Sequence, residues 1–388
     1  MGKSRIVTHV ISLFLLLAAA TVAVAAPNTI TLKVAEPTNF HSGADVIAER
    51  YGFFEREGLK FQYVNVPDVP AKQLAALKAG QIDVLAGHPD LFINAVKSGL
   101  KVKGVVRGSL GNASYPHLSF FVRKDSTIKS GKDLAGKKVA PGEWKESTFD
   151  TSCAGFYWSR FLKENNIARN AVKQVPLPES QHAKALEDGS VDVIISTPAY
   201  TDRHLKDAKL RLLRDTWDLY PVATDREDAE IYLRGFTDDF IKKNPEAVRK
   251  YVRALVQAQQ YANDHRKENF AYFEELQKVA PSITNKLHLS VSGLIEDRPL
   301  KLWLAQLEAN GTLKPGQIKP GDLYTNAYNP YSEYKANDPK KNPTFYDTLK
   351  LDWSKKNKGG VVDKTEEEIR KDELKTNVAP AAPGKKKK

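Results

Sequence analysis

The sequence predicts an α/β protein of two lobes, each a sheet flanked by helices. Three observations carry this: a chain long enough for two cores, a β-α-β start, and a nine-residue pattern that occurs twice. Domains usually run about 100 to 200 residues, so 388 residues hold two lobes and a tail. Apolar residues make up 41% and charged residues 27%, the balance of a soluble folded protein and not of a disordered chain or a membrane bundle. The pattern is Ala76-Leu77-Lys78-Ala79-Gly80-Gln81-Ile82-Asp83-Val84, which returns 109 residues later as Ala185-Leu186-Glu187-Asp188-Gly189-Ser190-Val191-Asp192-Val193. Leucine closes an apolar helix face, glycine takes the left-handed position past the helix end, and the β-branched pair opens a buried strand. That separation is too long for a solenoid repeat and suits two lobes built alike.

In chain order, Lys3 and Arg5 form a basic start, Val10 to Ala20 an apolar stretch and Ala23-Val24-Ala25 a small-residue cleavage site. These are the parts of a secretory signal peptide, here residues 1–25, with the cut expected before Ala26. No cysteine stands directly after the apolar stretch, so the expectation is a free periplasmic protein and not a lipoprotein. Ile30, Leu32 and Val34 alternate as a strand, Ala44 to Tyr51 reads as a helix stopped by Gly52, and Leu59, Phe61 and Tyr63 alternate as a second strand. Further on, Lys137 to Ala140 reads as a strand broken by Pro141-Gly142, and Ser147 to Glu164 as a helix with Phe149, Cys153, Phe156 and Tyr157 on one face. A strand from Val191 to Ile195 ends at Ser196-Thr197-Pro198. Asn244 before Pro245 starts a long helix whose core stripe is Val248, Val252, Leu255 and Val256, assigned to the first lobe.

The formal net charge is +12, and setting aside Lys3, Arg5 and the run Lys385 to Lys388 leaves +6. Basic and acidic residues alternate along most of the chain, as in Lys124-Asp125 and Lys163-Glu164, which is a solvated surface and not a nucleic-acid-tracking stripe. Cys153 is the one cysteine, so no internal disulfide forms, and its place on the apolar side of a helix predicts a buried, inert thiol.

Four segments together resemble a family. They are Tyr51-Gly52-Phe53-Phe54-Glu55-Arg56-Glu57-Gly58-Leu59, the first copy of the repeat, Phe121-Val122-Arg123-Lys124-Asp125-Ser126, and Ile128-Lys129-Ser130 followed by Asp133 to Ala140. In order and spacing the chain resembles, over roughly residues 30 to 310, the substrate-binding proteins for aliphatic sulfonates, taurine, nitrate and thiamine-pyrimidine precursors. The resemblance implies a type II periplasmic-binding-protein fold: two discontinuous lobes joined by two crossings, with a ligand cleft between them and hinge closure on the ligand. The crossings are expected near Tyr115-Pro116-His117 and Asp225 to Glu230. This divides the chain into lobe 1 (26–115 and 228–320), lobe 2 (116–227) and an extension (321–388). The extension carries Tyr324, Tyr328, Tyr331 and Tyr334 among prolines, a capping-box start at Thr365 to Glu368, and a disordered Lys-rich end. It is expected either to wrap over one lobe or to serve as a docking element. The resemblance implies a monomer that captures a small molecule and serves the permease and ATPase of an ABC importer, with no nucleic-acid partner, no cofactor and no catalysis. An enzyme similar to the thiamine-pyrimidine synthases, or a periplasmic ligand sensor, is the alternative. The cysteine-rich motif of those synthases is absent from this sequence.

Loops that follow strands should wall the cleft, which nominates Phe40, His41, Ser42, His88, Arg107, Trp144, Ser147, Thr148, Thr197 and Pro198. Ser147 and Thr148 at a helix start either hold an anionic group or simply cap the helix. Trp144, between Glu143 and Glu146, suits a flat heterocycle or a cation, or else packs. Arg107 suits a carboxylate or sulfonate, so ligand charge stays open. His41 and His88 lack the H-x-x-x-H or H-E-x-x-H spacing of a local metal motif, so no metal is expected.

Overall fold

The computed structural model describes residues 29–37, 43–67, 69–110, 117–142, 149, 152–216, 231–265, 289–290 and 292–332. The elements alternate as the β-α-β start requires: β1 (Ile30–Ala35), α1 (Gly43–Arg50), α2 (Phe53–Arg56), β2 (Leu59–Val64), α3 (Pro70–Lys78), β3 (Leu85–Gly87), α4 (Pro89–Lys97) and β4 (Val102–Leu110). The second sheet follows with β5 (Ser119–Arg123), β6 (Lys138–Ala140), α5 (Cys153–Glu164), β7 (Lys173–Gln174), α6 (His182–Glu187), β8 (Val193–Ser196), α7 (Pro198–Lys206) and β9 (Leu210–Asp215). The chain then returns with β10 (Ile231–Thr237), α8 (Asp238–Lys243), α9 (Pro245–Asp264), α10 (Asp297–Ala309) and α11 (Pro320–Leu323).

The sheet order in the second half is β7-β6-β8-β5-β9. In the first half β1 pairs with β2 in parallel, and β10 lies antiparallel between β3 and β4. Asp83 joins these two pieces, donating its amide to the Lys33 carbonyl at 2.7 Å while its carboxylate accepts the Lys33 amide at 2.7 Å. The first half therefore runs β2-β1-β3-β10-β4, the same order as the second. Asp192 repeats the device on Lys138, at 2.9 Å for its amide and 2.8 Å for its carboxylate. The repeated aspartate is thus the joint of each lobe. It also corrects the expected strand starts, because a carboxylate occupies the place of a ladder carbonyl and the ladder opens later, at Leu85 and Val193. Gly80 (φ 66°) and Gly189 (φ 76°) take the left-handed turn that the pattern predicts.

The chain passes between the sheets after Leu110 and before Ser119, and returns after Asp215 and before Ile231. Val248, Val252, Leu255 and Val256 of α9 are buried against α1, α2 and β4, as the stripe predicts. A further apolar cluster joins the halves: Phe156 of α5 stacks on Trp303 of α10 with ring centroids 4.3 Å apart. The first residues of the extension lie over the first half. The Tyr324 hydroxyl donates to Asp297 at 2.9 Å and the Gln260 amide to the Tyr331 hydroxyl at 2.9 Å. Residues 333–388, with Tyr334, the capping-box start and the Lys-rich end, lie outside the described residues, as does the signal-peptide segment. Among the described residues no helix is long and apolar enough to cross a membrane.

Candidate functional site between the lobes

His88 and Thr197 hold equivalent places. Each follows its strand of the repeat, β3 or β8, and each is the N-cap residue of the next helix with proline at the first turn. The 109-residue offset therefore extends past the nine-residue pattern to the site itself. Cys153 is the first residue of α5, where Ser152 caps the helix by accepting the Gly155 amide at 3.1 Å. His117 comes from the segment joining the lobes. One ligand atom from each of His88, His117 and Cys153 lies within 4.8 Å of the other two.

The Cys153 thiol is buried, as its place on the apolar side of the helix predicts, but both imidazoles stand by its sulfur. Burial pushes the thiol up, but His88 and His117 outweigh it and bring it down to about 6. Two acids complete the surroundings. Burial raises Asp90 to about 7, with His88 pulling the other way. Burial likewise raises Glu179 to about 7, against the bonds that Thr197 donates from its amide (2.5 Å) and hydroxyl (2.8 Å). The rings are held in place by their neighbours. His88 lies parallel to Trp303 (18°) and edge-on to Tyr232 (87°), and His117 packs on Tyr157. Chemically the group offers a thiol lowered by its imidazoles, two imidazole rings and two carboxyls raised by burial.

Beside it, a cavity of about 60 Å³ is lined by Glu36, Phe61, Tyr63, Gln73, Tyr232 and Tyr251, with Ala86 of β3 in its wall. Its size is that of a subsite, since whole-ligand pockets run to about 300 Å³ or more. Asp45 also lines it, with its carboxylate engaged by Arg234 Nε (3.0 Å) and the Tyr251 hydroxyl (3.0 Å).

Of the residues nominated from sequence, His88 stands in this cluster, Thr197 is held by Glu179, and Pro198 opens α7 beside Thr197. Arg107 does not join them. It lies within β4, and its guanidinium meets Glu296 at 2.7 Å with 5% and 6% of the two side chains exposed, a buried ion pair inside the fold. Phe40, His41, Ser42, Trp144, Ser147 and Thr148 lie outside the described residues, and so does the helix start expected at Ser147. Sequence reasoning missed Cys153, Asp90 and Glu179 as site groups and used His117 only as a crossing marker. The one signal for the shared geometry was the repeat, carried on to His88-Pro89 and Thr197-Pro198.

Two α/β lobes of like strand order, crossed twice by the chain and meeting at strand ends, define the periplasmic-binding-protein fold. The chain belongs to the NMT1/THI5-like family, whose pattern matches residues 39–269. Solved structures bear out the fold. The periplasmic aliphatic sulphonate binding protein SsuA from Escherichia coli is 17% identical with a TM-score of 0.60, over 77% of this chain and 92% of that one. The alkanesulfonate-binding protein SsuA from Xanthomonas axonopodis pv. citri, bound to MOPS, is 16% identical with a TM-score of 0.57, over 77% and 99%. The desulfurization enzyme DszB is 15% identical with a TM-score of 0.55, over 77% and 97%. No curated protein matches the chain.

Proposed function

We propose that this protein is the periplasmic solute-binding component of an ABC-type importer, closing its lobes on a small polar molecule. The observation that carries the reading is the meeting of His88, His117 and Cys153, drawn from the end of β3, the crossing and the start of α5, beside an aromatic-walled subsite. Strand ends between lobes are where open α/β sheets take ligands. The sulfonate-binding proteins of the same fold support the class of solute. Glu36 and the tyrosines of the subsite favour a solute that also carries a hydrogen-bond donor or a cationic group, as taurine or an aminopyrimidine does. Export through the Ala23-Val24-Ala25 site and lobe boundaries near residues 115 and 228 belong to this reading.

A thermal-shift panel of sulfonates, taurine, nitrate, aminopyrimidines and aromatic carboxylates tests it. A true solute at 100 times its dissociation constant stabilises by about 2.7 kcal/mol. No shift with any class, together with recovery of the protein in the cytosol, removes the reading. A second reading, an enzyme of this fold acting through a nucleophile, is favoured by the lowered Cys153 thiol. Its sign is turnover of a panel member by the wild-type protein that Cys153→Ala abolishes, with the products identified by mass spectrometry.

A further inference from the structure

The solute-binding reading asks only for polar groups at the cleft, and a Cys-His-His set is more than that. A thiol that serves as a nucleophile is deprotonated by one imidazole. Here two imidazoles from separate segments stand by the same sulfur, with one ligand atom of each of the three residues within 4.8 Å of the other two. A tetrahedral ion about 2.0 to 2.1 Å from nitrogen and about 2.3 Å from sulfur spaces its ligands roughly 3.3 to 3.6 Å apart. Side-chain movements of an ångström or so therefore close the three atoms on one point.

We propose that His88, His117 and Cys153 bind a thiophilic transition-metal ion of the zinc or copper kind. Thiolate with imidazole is the donor set that selects these ions over magnesium or calcium. Three protein ligands leave the fourth position of a tetrahedral ion for a donor from the cleft. The rings are set for the task, because Trp303 and Tyr232 fix the plane of His88 and Tyr157 that of His117, and orientation of ligands by their surroundings is part of a metal site. The ligands come from the end of β3, the crossing and the start of α5, so the ion joins one lobe to the other.

The test uses the full chain, reduced and stripped with chelator, then titrated with cobalt(II) as a spectroscopic stand-in for zinc, and separately with copper(I). One ion per chain is expected, with a sulfur-to-cobalt charge-transfer band that Cys153→Ser abolishes. His88→Ala and His117→Ala should each weaken binding by at least about tenfold, since even outer-shell partners of a metal are worth 10- to 100-fold. Circular dichroism checks that each variant is folded, and Cys153→Ala serves if the serine variant is not. Bound cobalt should also protect Cys153 from iodoacetamide. No binding above that of the Cys153→Ala protein overturns the proposal, as does a cobalt spectrum without the sulfur band. Alkylation at the same rate with and without metal likewise overturns it and leaves a free reactive thiolate. The result is independent of the solute panel, which is run in metal-free buffer.

Discussion

Arg107 and Glu296 face each other at 2.7 Å with almost none of either side chain exposed. Taking both charges out of water is costly, and their attraction offsets that cost only while both are present. Burial pushes the Glu296 carboxyl up, and Arg107 offsets only part of that rise. Arg107→Met should therefore lower stability by about 3 to 5 kcal/mol, and the double variant Arg107→Met/Glu296→Leu by less, as urea unfolding curves will show. A loss in the double variant as large as in the single one would mean that the pair is not the cause. At this scale the sequence was least legible. The sequence puts Arg107 after a strand, which makes it a cleft candidate, but it lies inside β4, paired with Leu233, and its ionic partner stands 189 residues away. The Cys153 group is spread in the same way over positions 88, 117 and 153, a spacing that no local motif encodes. Only the fold brings such residues together, so side chains judged singly read as an inert thiol and two unrelated histidines.

Elements were far more legible, because periodicity and turn residues are local. β1, α1, β2 and the stripe of α9 stand where alternation and helical spacing put them. β10 was not named as a strand, and its composition explains why. Ile231-Tyr232-Leu233-Arg234-Gly235-Phe236-Thr237 is a central strand with a fully buried arginine in its middle. The apolar run is broken by a charge whose partner, Asp45, sits on α1. Gly235 beside it is where a Cβ would come within 2.2 Å of the Lys103 carbonyl oxygen, so the close approach of β4 excludes any larger residue. The repeat also carried more than its helix-to-strand pattern, for its aspartates join strands. Asp83→Ala should cost about 1.5 to 3 kcal/mol, the value of a hydrogen bond to a charged group, and Asp192→Ala a similar amount. The two losses should add, since they fall in different sheets. Asparagine at either place keeps an acceptor and should cost less. Denaturant midpoints of the five variants check this, and a neutral Asp192→Ala would remove the equivalence of the joints.

For the whole molecule, the balance of buried titratable groups shapes the response to acid. Burial holds His182 and His204 down to about 4, so both stay neutral in the fold where the unfolded chain protonates near 6.5. Their contribution is fully present above about pH 6.5 and is lost as pH falls toward 4. Asp90 and Glu179, raised to about 7, act in the opposite sense: their contribution is fully present below about pH 4 and is lost as pH rises through 7. The wild-type curve between pH 4 and 6.5 is thus flattened by opposing changes, and a variant isolates one of them. His204→Gln removes a ring whose Nδ1 meets the Ser196 hydroxyl at 3.0 Å. Its stability deficit should shrink by as much as about 3 kcal/mol between pH 6.5 and 4, at 1.36 kcal/mol per pKa unit. Paired urea titrations at the two pH values measure it, and a deficit that does not change with pH would mean that His204 is not held neutral by the fold.

The middle position of β10 also sets an order of events in time. Every strand of the second sheet lies between Ser119 and Asp215, so that sheet can be finished as soon as its own stretch of chain exists. The first sheet begins at Ile30 but keeps an empty lane between β3 and β4 until Thr237 has been made. The later-synthesised lobe therefore closes first, and the earlier one waits for a strand made some two hundred residues after its own first. A chain halted before Ile231 ends with one lobe complete and the other open along both edges of the missing strand.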